Sequence, residues 1–152
     1  MDGGIGVIAQ TIQLALAPVF VLVAIGNIMN ILANRLARIV DRSRYLQTQH
    51  AETSDAEHDK VVREIRLIDR RIHLIGQAIL LLVLSGLTIG FCVALLFVEE
   101  LFDVNLQQVA GAAFFFAVVL LMMALWLFLR EVRQATAALR IPETYLELER
   151  KL

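Results

Sequence analysis

At 152 residues, 59% of them apolar, with a net charge of −1, the chain is one domain, and nothing in its charge balance singles out nucleic acid as a partner. Its single cysteine, Cys92, excludes an intrachain disulfide and reads as a small packing residue. The distribution of charge is more telling than its sum: all fourteen Lys and Arg lie within 35–71 and 130–151, and three long apolar runs carry no Asp, Glu, Lys or Arg.

The runs are 5–33, 74–98 and about 109–129. Each is long enough to cross a hydrocarbon core of ~30 Å, which takes roughly 20 helical residues. A soluble bundle would carry charges on its outward helix faces, so three transmembrane helices are expected. Nine cations lie between the first and second runs and five follow the third, whereas the N-terminal tail offers only Asp2 and the second connection Glu99, Glu100 and Asp103. Cations near a span are retained in the cytoplasm, which places the N-terminus outside and the C-terminus inside. The first run lacks a basic leader and exceeds the apolar core of a signal peptide, so it is expected to stay in the mature protein.

Within the first run the polar residues fall on one face. At about 100° per residue, Gln13, Asn27, Asn30 and Asn34 share an arc with Phe20, Val23, Arg38 and Asp41. An unpartnered amide in hydrocarbon costs several kcal/mol, so this stripe must meet another helix or water. Two readings stay open. The amides are interhelical hydrogen-bond glue, or they line a water-filled path. The second requires a homo-oligomer with the first helices around an axis, where symmetry turns each residue into a ring. Gln13 then lies near the outer mouth, Leu16, Phe20 and Val23 form an apolar constriction, and Asn27, Asn30 and Asn34 stack toward an Arg38 ring. Pro18 either bends this helix or is tolerated in it.

From Arg35 to Gln49 helix formers continue without Gly or Pro, so the first helix is expected to run on beyond the membrane. Thr53, Ser54 and Asp55 are turn and cap types, and Ser54 with Glu57 has capping-box spacing. On the return, Ile65, Ile68, Ile72, Ile75, Ile79 and Leu82 recur at steps of three and four, a heptad seam entering the membrane. Together these predict a long cytoplasmic helical hairpin, coiled-coil-like, at about 35–73 between the first and second spans. His50 and His58 lie near its tip with Glu52, Asp55 and Asp59. They are weak metal candidates, since the spacing matches no established ligand pattern and a solvated tip explains them as well.

The second span carries Gly86 and Gly90, a small-residue spacing that favours close helix packing. In the third, Trp126 near Arg130 suits an interfacial belt, and Phe114, Phe115 and Phe116 read as lipid-facing or packing residues. The segment after it, 129–140, continues as a helix with Arg130, Arg133 and Arg140 available to lipid phosphates. Pro142 breaks it, and the tail to Leu152 forms either a short amphipathic helix or a frayed end. No nucleophile–base pair, phosphate-binding loop or intramembrane carboxylate is evident, so neither an enzyme nor a cofactor is expected.

Three segments, IAQTIQLALAPVFVL, NRLARIVDRSR and LREVRQATAALRI, resemble across nearly the whole chain a small bacterial integral-membrane family catalogued as a domain of unknown function. The resemblance implies a three-span protein of the bacterial cytoplasmic membrane and assigns no catalytic or binding residue. The expectation is an all-α integral membrane domain over 1–152, with the lipid bilayer and further copies of itself as partners. Its leading function is a homo-oligomeric channel or pore lined by the first helix. The alternative is a non-conducting scaffold or regulatory subunit whose hairpin binds an unidentified cytoplasmic protein.

Overall fold

The structure is a computed structural model that describes residues 2–102 and 104–138, with side-chain environments for 12–136 other than 56 and 103. It is all-α, with three helices: α1 (Asp2–Glu52), α2 (Asp55–Phe102) and α3 (Gln107–Ala138). Each is long and apolar enough to cross a membrane. α2 is central, and α1 and α3 both pack along it. The predicted hairpin at 35–73 is not present as an element of its own between the first and second helices. α1 is unbroken to Glu52 and α2 opens at Asp55, so those residues are parts of α1 and α2, with only Thr53 and Ser54 between. The reason is local: from Arg35 to Glu52 there is no Gly or Pro to end the first helix.

The turn is closed by Thr53, whose N–H and hydroxyl donate to the Gln49 carbonyl at 3.1 and 3.0 Å. Asp55 follows with φ 57°, a left-handed conformation that Asp adopts more readily than most residues. The expected Ser54–Glu57 exchange is not among the hydrogen bonds of the described residues. Pro18 is accommodated inside the continuous α1.

Two seams hold the helices, both repeating at seven residues. On an α-helix such residues return to within about 20° of the same face. In the first seam α1 buries Ile25, Leu32, Ile39 and Leu46, and α2 buries Val61, Ile68, Ile75 and Leu82. These pair by their distance from the turn, Leu46 with Val61 and Ile25 with Leu82 at the extremes. Of the apolar series predicted on α2, Ile68, Ile75 and Leu82 are therefore in the core, while Ile65, Ile72 and Ile79 are half-buried at its edge. Gly86 belongs to this contact, since a Cβ there would stand 3.6 Å from Leu22 Cδ1. At Gly90 a Cβ would meet nothing within 4 Å among the described residues.

The second seam is made of small residues. α3 buries Ala110, Ala117 and Ala124, and α2 buries Cys92, Ser85 and Ala78. The Ser85 hydroxyl donates to the Ala117 carbonyl at 2.7 Å, and the Cys92 thiol to the Ala110 carbonyl at 3.3 Å. Such bonds to another helix's backbone require close approach, which the alanines permit. Outward-facing apolar side chains complete the picture: Leu87 is 67% exposed, Phe115 70% and Trp126 62%. For three helices of this length that surface is suited to lipid.

Enlarging a seam residue should therefore separate α2 from α3. Ala117→Leu is expected to lower stability by about 1–3 kcal/mol, whereas Ala112→Leu, at an exposed position, should be close to neutral. Thermal unfolding of the two variants in detergent checks the contrast.

Candidate functional site

A fourth position continues the seven-residue series of the α2–α3 seam to its basic end, where Arg71 on α2 meets Glu131 on α3. Glu131 is fully buried. Arg71 donates from Nε at 3.2 Å and Nη2 at 2.8 Å to its Oε1. Arg35 of α1 brings Nη2 to 3.1 Å from Oε2, an ion-pair distance without hydrogen-bond alignment. The Arg35 guanidinium also lies 5.4 Å from the centre of the Phe128 ring on α3. One carboxylate thus joins one residue from each helix.

The position of this node follows from the sequence. Arg35 is the first charge after the first apolar run, Arg71 the last before the second, and Glu131 stands just beyond the third. All three helices thus bring a charge bordering an apolar run to one level. Two guanidinium groups around one carboxylate leave a net positive charge, and both arginines keep about a quarter of their side chains exposed. A second ion pair further along, Arg42 with Glu64 at 2.7 Å, is about half exposed and contributes little by comparison.

The amide stripe lies elsewhere on α1. Asn27, Asn30 and Asn34 are all exposed, as are Gln13, Leu16, Phe20, Val23 and Arg38. They sit on the side turned away from Ile25, Leu32 and Ile39, so neither α2 nor α3 supplies partners for the amides. Asn34 Nδ2 donates to Asn30 Oδ1 at 3.3 Å, which leaves most of the hydrogen-bonding capacity of the row unused. Among the described residues, the contacts between spans do not use this stripe.

Other residues singled out in the sequence fall into place plainly. His50 and His58 come together from α1 and α2 with ring centroids 4.4 Å apart, tilted by 53°. No cluster of three or more His, Cys, Asp or Glu able to hold a metal occurs among the described residues. Arg130 lies over Trp126 at 5.5 Å from the ring centre, and Arg133 is exposed. Arg140 and the segment from Pro142 lie outside the described residues. At the acidic end, a cavity of about 410 Å³ opens between the helices, lined by Leu14 and Pro18, Cys92 and Glu99, and Gly111 and Phe114 among others.

A family model described as a protein of unknown function, DUF2721, matches residues 15–141. The chain belongs to the DUF2721 family. The match spans both seams, the node and the asparagine row, so these features of the DUF2721 chain all lie inside the family's domain. Comparison with curated proteins and with solved structures finds no match.

Glu131 was not legible as a site residue. It sits among arginines beyond the third apolar run and reads as part of a solvated segment. One signal could have found it: Ala110, Ala117 and Ala124 extend by the same step to Glu131. Removing its charge leaves two partly buried guanidinium groups unpaired. Glu131→Gln is expected to cost about 3 kcal/mol, while Arg42→Ala at the exposed pair should cost no more than about 1 kcal/mol. Unfolding of both variants in detergent, compared with the parent, checks the ranking.

Proposed function

We propose that this protein forms a homo-oligomeric channel or pore for ions or small solutes, with α1 of each copy at the axis. A single observation supports the reading: the Asn27, Asn30 and Asn34 row lies exposed on a face of α1 that no other helix among the described residues covers. Asn27 is eight residues before Arg35, or about 12 Å along the helix, well inside the apolar stretch. Amides there need partners, because each unsatisfied polar group in hydrocarbon costs several kcal/mol. Another copy of α1 and enclosed water supply them, and cyclic symmetry makes each position a ring.

In that arrangement Leu16, Phe20 and Val23 form an apolar constriction that gates by dewetting, and the amide rings hydrate ions of either sign. Gln13 lies at one mouth and Arg38 at the other, where its charge favours anions. The cation distribution favours an orientation with the Arg38 mouth in the cytoplasm and the N-terminus outside, and the family resemblance favours a bacterial cytoplasmic membrane. The protein acts without enzymatic chemistry in this reading.

The test begins with oligomeric state, by native mass spectrometry or particle images of the purified protein in nanodiscs. A closed ring is expected, and single-channel recording should then give a conductance that Asn27→Leu with Asn30→Leu changes. A monomer or dimer, or a conductance indifferent to both substitutions, sinks the pore and favours a non-conducting scaffold.

A further inference from the structure

We propose that the arginine-lined cavity between α1 and α2 binds the phosphate of an anionic phospholipid. The cavity, about 270 Å³, is lined by Arg35, Arg38, Arg42 and Arg71 with Ile39 and Ile68 at its floor. Four arginines line it, and two carboxylates offset their charges: Glu131 between Arg35 and Arg71, and Glu64 on Arg42. Arg38 makes no ion pair among the described residues, and the exposed Asp41 forms none with it. The arginines lining the cavity therefore carry an excess of two positive charges, on planar forked donors of the kind that suit phosphate oxygens.

Its depth selects a lipid rather than a soluble anion. Arg35 and Arg71 are the charges nearest the apolar runs of α1 and α2, which puts the cavity where headgroups lie. The same Arg35 and Arg38 border a more open groove with Ile31, Asn34 and Ala37. Ile31, 53% exposed, stands one turn, or about 6 Å, further into the apolar stretch than Arg35. A phosphate held by the arginines would leave its acyl chain beside Ile31. This assignment does not depend on conduction.

Native mass spectrometry of the full-length protein in detergent, titrated with phosphatidylglycerol or phosphatidylcholine, tests it. Phosphatidylglycerol should bind more tightly. Arg38→Ala with Arg42→Ala should weaken it by about thirtyfold, at about fivefold per arginine, while Arg66→Ala with Arg70→Ala, on α2 outside the cavity, should not. Should the first double variant fail to fold, Arg38→Ala alone, which breaks no ion pair, should give about the fivefold loss. Equal binding of the two lipids, an unaffected cavity variant, or an equal loss in the Arg66 and Arg70 control overturns the proposal. So does displacement of the lipid by millimolar inorganic phosphate, which would assign the cavity to a soluble anion.

Discussion

The arrangement of the three helices turns on one buried carboxylate. Apolar side chains associate in membranes without the solvent drive that folds soluble proteins, since lipid is as apolar as the side chains it replaces. Register among such helices is set by close packing and by the few polar groups that must find partners. Glu131 is the strongest of these constraints: fully buried on α3, it is bonded by α2 through Arg71 and ion-paired to α1 through Arg35. Sliding any helix by one turn, about 5.4 Å, would part it from at least one arginine and leave a buried charge short of compensation.

The two seams achieve their fit by different means. Between α1 and α2, branched side chains meet branched side chains, and the two-residue turn fixes which pairs face each other. Between α2 and α3 the fit comes from absence of bulk. Ala110 and Ala117 let the backbones approach closely enough for Cys92 and Ser85 to donate to carbonyls across the interface. Those bonds and the Arg71–Glu131 contact fall at the same seven-residue step, so a single register satisfies them all. Polar satisfaction and packing agree on one alignment, which is what makes a unique structure from largely featureless apolar helices.

Why the sequence disclosed one seam and concealed the other has a physical explanation. Absence of charge over 5–33, 74–98 and 109–129 exposes the spanning segments directly, because charges are costly in hydrocarbon. Ile68, Ile75 and Leu82 are readable because their series begins outside the apolar run, where polar neighbours supply contrast. Ala110, Ala117 and Ala124 lie within a segment apolar on every side, and small residues there carry no contrast in hydrophobicity. The helical continuation past Arg35 is legible, and for the same reason 35–73 is no element of its own between the first and second helices: a helix that meets no breaker remains one helix. The asparagine row was legible as a stripe from spacing alone. That it turns away from both other helices depends on where Ile25, Leu32 and Ile39 point, and this required the fold.

The charge excess at the node links stability to the surroundings. Two arginines serve one carboxylate, and Arg38 beside them is unpaired among the described residues, so the folded bundle concentrates positive charge at a level the separated helices would not. Anything anionic that binds this arrangement and not the separated helices stabilises the fold by mass action, by an amount that grows with its concentration relative to its dissociation constant. A bilayer presents phosphates at this depth at high local concentration. The proposed lipid would therefore complete the electrostatics of the node, with Glu131 fixing the arginines from within and a headgroup balancing them from outside. Bound there, an anion that belongs to the membrane rather than to the chain would relieve part of the mutual repulsion between two guanidinium groups held by a single carboxylate.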